Sequence, residues 1–176
     1  MATATTTVRR VLARVYADGA SRANPGHASY GVYIEQPGCG VRGEGCYLGT
    51  PISNNTAEFA GVERALELVA ELLVADGVVR VYTDSRNLAE AIAGRFAVRA
   101  EHLQPIFERI RTSLATLNAD DGERVTVEHV RRGYNRMADA LANAALDARG
   151  PVRLDVGPRP RDFIVPSASA TKRSRP

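Results

Sequence analysis

The sequence predicts an α/β fold: a five-stranded mixed sheet, opened by a β-hairpin and continued by alternating strands and helices, with helices on both faces. Three observations predict it. Residues 8–17 alternate apolar and polar residues with the period of a strand, and 29–36 with 41–48 read as a strand pair. The middle and last thirds alternate short apolar runs with segments whose apolar residues step by three and four. Two of the strand-like runs end on the same pattern, Val15-Tyr16-Ala17-Asp18 and Val81-Tyr82-Thr83-Asp84.

The elements follow in order. Residues 8–17 alternate, with Val11, Ala13 and Val15 on one face, and the Gly-, Asn- and Pro-rich stretch DGASRANPG reads as a turn. SYGVYIEQ (29–36) and VRGEGCYL (41–48) read as an antiparallel hairpin joined at PGCG. The polar Asn54-Asn55-Thr56 run suits a helix N-cap, and Phe59, Val62, Leu66, Val69 and Leu73 mark a helix over 58–74. VVRVYTD (78–84) is a buried strand and LAEAIAG (88–94) a short helix stopped at Gly94. Leu103, Phe107, Ile110, Leu114 and Leu117 mark another helix, closed by NADDG. RVTVEHV (124–130) is the last strand, with His129 read as half-buried within it. The alanine-rich segment 136–148 is a helix that Asn135 would cap. Composition turns to Pro, Arg and Ser from Gly150, so the organisation expected is an extension (1–8), one domain (9–149) and a basic tail (150–176).

A chain of 176 residues suffices for one domain with a full core, and 44% hydrophobic with 24% charged residues is ordinary soluble composition. No apolar run approaches the roughly 20 residues of a membrane span, and MATATTTVRR lacks a secretory core, so a cytoplasmic monomer is expected. A short organellar leader rich in Thr and Arg is the alternative for that stretch. Cys39 and Cys46 are too few for a disulfide framework or a cysteine metal site and are read as free thiols. The isoelectric point near 9.1 suggests nucleic acid. Yet residues 149–176 hold seven basic and two acidic residues, while 1–148 hold 16 basic and 18 acidic. The basicity belongs to the tail.

Asp18 and Asp84 stand at the carboxyl ends of their strands, the edge of an α/β sheet where ligands bind. If those strands are parallel neighbours, both aspartates reach one metal ion. Glu58 and Asp139 stand at helix starts, where an acid also serves simply to offset the helix dipole. Four carboxylates gathered together repel one another unless cations share the site. Oxygen ligands select Mg²⁺ or Mn²⁺ over zinc. Two such ions roughly 3.5–4 Å apart suit phosphodiester cleavage.

YADGASRANPG, NNTAEFAGVERALEL, VYTDS and HVRRGYNRMADALANAAL stand in the order and spacing of a known family, and over about residues 10–148 the chain resembles type 1 ribonuclease H, most nearly its short bacterial and archaeal form. The resemblance implies the RNase H-like fold and endonucleolytic cutting of the RNA strand of RNA/DNA hybrids, leaving 5′-phosphate and 3′-hydroxyl ends. It implies two Mg²⁺ or Mn²⁺ ions. Asp18 would bridge them, Glu58 and Asp84 would complete the ion beside the departing oxygen, and Asp139 would join Asp18 on the ion that activates water. It also implies that Asn24, Asn54 and Asn55 read 2′-hydroxyls in the RNA minor groove, with Ser21 beside them. Turn and cap chemistry is the other use of those asparagines.

Two features depart from the family. The loop RRGYNRMA lacks the histidine many relatives carry before the last aspartate, leaving Arg131 or Arg132 to contact phosphate. The Lys/Trp-rich protrusion some relatives insert near residue 94 is absent, with only Arg95 and Arg99 in GRFAVRAEHLQ. The basic tail could replace that grip on nucleic acid, dock on a protein partner through RPRDFIVP, or simply be a solvated end. The alternative to an enzyme is a weak or inactive module binding hybrid or double-stranded RNA on the same fold. Keeping four carboxylates beside phosphates argues against it.

Overall fold

A computed structural model describes residues 10–72, 77–119 and 122–157. The expected extension (1–8) and most of the tail lie outside the described residues. Three long strands open the chain: β1 (Arg10–Arg22), β2 (Gly26–Gln36) and β3 (Gly40–Ile52). They are followed by α1 (Asn54–Leu72), β4 (Gly77–Thr83), α2 (Arg86–Ile92), α3 (Gln104–Leu117), β5 (Val125–His129), α4 (Arg136–Ala148) and β6 (Val152–Val156). Single 3₁₀ turns at Glu101–Leu103 and Arg132–Tyr134 lead into α3 and α4.

The sheet runs β5-β4-β1-β2-β3-β6, with β4 parallel to both β1 and β5 and the other pairs antiparallel. The mixed α/β architecture is the one expected, but with six strands rather than five. The sixth, β6, pairs with β3 from Val41↔Val156 to Gly45↔Val152. It lies past residue 149, where composition alone places the start of the tail. Val152 and Leu154 turn onto the α4 side of the sheet, packing with Tyr33, Ala138 and Leu141. This is a period-two strand inside a Pro/Arg-rich stretch.

The other face holds the main core. Ala13, Val15 and Ala17 of β1 and Val79 and Val81 of β4 are fully buried against Phe59, Val62, Leu66 and Val69 of α1, with Phe107 and Ile110 of α3 behind them. Phe59 and Phe107 meet edge to face at 6.2 Å. On the opposite face α4 lies very close to the sheet. A Cβ on Gly31 would fall 2.2 Å from the Ala138 carbonyl, and one on Gly45 would fall 2.4 Å from that of Leu141. Among the described residues no helix is long and apolar enough to cross a membrane.

Local differences from the sequence reading bear on the site. β1 does not stop at Ala17 but continues to Arg22, because β2 keeps pairing with it through Asp18↔Gly31 and Arg22↔His27 after β4 has ended. The turn is only Ala23–Pro25, so Ser21 is a strand residue. α1 starts at Asn54 because the Ser53 hydroxyl accepts the Thr56 N–H (3.1 Å). Glu58 therefore stands in the second turn, not at the helix start. His129, expected half-buried, is exposed at the end of β5.

Candidate active site

Tyr16↔Tyr82 and Ala17↔Thr83 are the last pairs of the parallel β1–β4 ladder, so Asp18 and Asp84 follow at the fork where the strands separate. Period two puts Tyr16 and Asp18 on one face of β1, and Tyr82 and Asp84 correspondingly. The two tyrosine rings lie 5.2 Å apart beneath the aspartates. Glu58 reaches the same fork from α1, because a close approach of helix to strand brings it there. A Cβ on Gly19 would fall 2.2 Å from the Glu58 nitrogen, and one on Gly61 would fall 2.7 Å from the Asp18 carbonyl. Both close approaches exclude a side chain larger than hydrogen. Asp139 comes from the first turn of α4, on the sheet's other side.

Asp18 is the buried member, 6% exposed, and accepts the Gly19 N–H at 2.9 Å. Burial first, then the charges of Asp84, Asp139 and Glu58, push its carboxyl up to about 8, against the Gly19 bond. Burial also raises Glu58, with Asp84 adding to it, while the Ser85 hydroxyl and the Asn54 amide hold it down. The structure thus brings all four expected carboxylates into one electrostatic neighbourhood. Arg132, rather than Arg131, is the loop arginine nearest them, 3.5 Å from Asp139 and largely in solvent. Arg131 is exposed.

The expected substrate readers already have local partners. The Asn24 carboxamide oxygen accepts the Asn54 N–H (2.9 Å), and the Asn54 side chain donates to Glu58 (2.9 Å). Asn24 therefore ties the β1–β2 turn to the start of α1, and Asn54 orients Glu58. Asn55 is exposed. The Ser21 hydroxyl faces the Ala23 and Ile52 carbonyls at 2.6 and 3.2 Å and holds the turn.

One residue at the site was missed. Asn135 occupies the N-cap position of α4 as expected, but its side chain makes no capping bond. It is fully buried and donates to the Ala17 carbonyl (3.0 Å) and to Asp84 (3.3 Å). An asparagine before a helix reads as a cap, and nothing in the local sequence marks a partner 118 positions away.

The donor set fits hard divalent cations: carboxylate oxygens only, with Asp18 buried where its neighbours oppose its charge. As oriented, no three acidic, histidine or cysteine side chains among the described residues close around a single point. Beside the site, a cleft of about 630 Å³ runs from Glu58 and Ser85 to Phe96 and Arg99.

A family model described as reverse transcriptase-like matches residues 16–145. Ribonuclease HI of Halobacterium salinarum is 33% identical over 132 residues, covering 75% of this chain and 63% of that protein. The bifunctional protein Rv2228c of Mycobacterium tuberculosis is 32% identical, over 76% of this chain and 35% of its own length. The chain thus spans less than two thirds of either relative. Among solved structures, RNase H1 from Halobacterium salinarum superposes with TM-score 0.67 at 31% identity, covering 77% of this chain and 98% of that one. LC11-RNase H1, solved in complex with an RNA/DNA hybrid, matches with TM-score 0.67 at 29% identity, over 78% of this chain and 98% of that one. By the matched model and by this overlay along nearly the whole of a 31% identical structure, the chain belongs to the type 1 ribonuclease H family.

Proposed function

We propose that this protein is a metal-dependent endoribonuclease that cuts the RNA strand of RNA/DNA hybrids by a two-metal mechanism, leaving 5′-phosphate and 3′-hydroxyl ends. What supports this reading is that Asp18 and Asp84 directly follow the last β1–β4 pairs, with Glu58 and Asp139 near enough that all three neighbours oppose the charge of Asp18. Such a cluster destabilises the free protein and gains a use when cations share it. Asp18 would be common to two Mg²⁺ or Mn²⁺ ions, with Glu58 and Asp84 on one and Asp139 on the other. Those ions would supply an activated water and neutralise charge at the departing oxygen.

The remaining residues orient the nucleic acid. Asn24 anchors Asn54 by accepting its backbone N–H, Asn54 in turn directs Glu58 through its side-chain amide, and the free capacity of these amides would face 2′-hydroxyls together with Asn55. Ser21 shapes the turn that carries Asn24. Arg131 and Arg132 contact phosphates at the Asp139 side, where relatives with a loop histidine place that group. The tail contributes sequence-independent attraction to phosphates.

Purified protein given labelled RNA/DNA hybrid with Mg²⁺ or Mn²⁺ should cut only the RNA strand. Asp84→Asn should lower the rate by at least about a thousandfold while hybrid binding, read by filter retention, stays within about threefold. Absence of cleavage with either ion sinks the enzyme reading. Cleavage that survives Asp84→Asn shows that the centre lies elsewhere.

A further inference from the structure

We propose that Asn135 is a positioning residue that locks the spacing of three of the four carboxylates, and so sets the affinity of the site for divalent cations. The inference rests on the proposed reading of those carboxylates as an ion site and adds to it a residue outside the ligand set.

Asn135 meets three separate pieces of the site. Its side-chain amide donates to the Ala17 carbonyl (3.0 Å), the peptide that joins Ala17 to Asp18. The same amide donates to the Asp84 carboxylate (3.3 Å). Its own carbonyl accepts the Asp139 N–H (3.0 Å), the first turn of α4. One buried residue therefore links β1 at Asp18, the end of β4 at Asp84, and the helix that brings Asp139.

The manner of its burial points the same way. A residue at this position ordinarily turns its side chain to accept the free N–H groups of the first helical turn. Asn135 forgoes that bond. Its carboxamide oxygen is fully enclosed and, among the described residues, is the buried side-chain polar atom without a hydrogen-bond partner. A buried acceptor left unpaired is unfavourable. The orientation is held by the two acceptors on the amide side, both belonging to the strand fork. The same amide thus ties one oxygen of Asp84 to the peptide that precedes Asp18.

The test uses the full chain and Mn²⁺, with free ion counted by its electron paramagnetic resonance signal. Asn135→Ala should weaken Mn²⁺ binding at least tenfold with the far-ultraviolet circular dichroism unchanged. Asn135→Ser, which returns a short donor, should recover part of the loss. The hybrid KM should stay within about threefold at saturating ion. Wild-type protein that binds no Mn²⁺ overturns the ion-site reading and this inference with it; wild-type binding matched by Asn135→Ala overturns this inference alone. A second measurement needs no variant. In wild-type protein titrated with Mg²⁺, the Asn135 side-chain amide resonances should shift with the same midpoint as the Asp139 backbone amide. Asn135 resonances that stay fixed while Asp139 moves overturn the proposal, whether or not Asn135→Ala folds.

Discussion

Burial and three carboxylate neighbours oppose ionisation of Asp18, and this has a consequence that can be measured without substrate. In the unfolded chain the group titrates near pH 4, and in the fold it is pushed up to about 8. Between those values the folded protein retains a proton that the unfolded chain has released. Stability from this group is therefore complete below about pH 4 and is lost as pH rises towards 8. In EDTA, the thermal midpoint should fall from pH 5 to pH 8, and Asp18→Asn should flatten that fall and melt higher at pH 8. Scanning calorimetry at several pH values checks it; equal slopes for both proteins would show that Asp18 is not the group responsible. Residues also differ in how far sequence reveals them. Asp18 and Asp84 were legible because a strand's period fixes which face its last residue occupies. Asn135 was not, since its role lies in bonds to strands 118 and 51 positions away. Asn24 and Asn54 were legible as polar residues near the site, but their mutual bond was not.

At the scale of elements, the site depends on how closely α1 can lie on β1. Gly19 faces the backbone of Ala57 and Glu58, with 2.3 and 2.2 Å left for a Cβ, and backbone atoms cannot swing aside as a flexible side-chain end can. Gly19→Ala should therefore push α1 outward and carry Glu58 away from Asp18. The expected loss is about 1–3 kcal/mol of stability, read as a lower urea midpoint with unchanged slope, and activity should fall further than stability alone explains. Gly49→Ala is the contrasting control: nothing lies within 4 Å of a Cβ there, but its φ of +109° strains any side chain. It should destabilise through the backbone while leaving the relative positions of Glu58 and Asp18, and hence kcat, intact. Urea melts and initial rates on both variants separate the two effects. Element boundaries were legible where periodicity was long, as in α3 and α4. They were misplaced where a short-range competitor intervened: Ser53, just ahead of the expected helix, supplies the bond that starts α1, and continued pairing with β2 carries β1 past its apolar run.

For the molecule as a whole, the sixth strand changes where the domain ends. Val152, Leu154 and Val156 alternate as a strand should, but arginine and proline around them made the segment read as tail. Strand pairing with β3 and packing of Val152 and Leu154 beside Leu141 need the fold before they can be seen. A chain cut after Gly150 loses this strand, and with it part of the cover over α4. Burial of half a Val and half a Leu side chain is worth about 1–2 kcal/mol, and at about 2–4 °C per kcal/mol for a domain of this size that truncation should lower the thermal midpoint by about 2–8 °C. A chain cut after Gly157 keeps β6 and removes residues 158–176, which hold five basic residues and one acidic. Its midpoint should stay within about 1 °C of the full chain. The two cuts therefore separate a structural contribution from an electrostatic one. If the tail beyond Gly157 neutralises hybrid phosphates, its removal should weaken hybrid binding and make the plot of log affinity against log salt shallower, by roughly 0.9 for each phosphate that the tail had neutralised. Fluorescence anisotropy of a labelled hybrid in EDTA, at several salt concentrations, reads that slope without cleavage. An unchanged slope in the chain ending at Gly157 would mean that the arginines of the tail do not touch the hybrid. Attraction for phosphates would then have to come from arginines of the folded domain such as Arg99, Arg131 and Arg132.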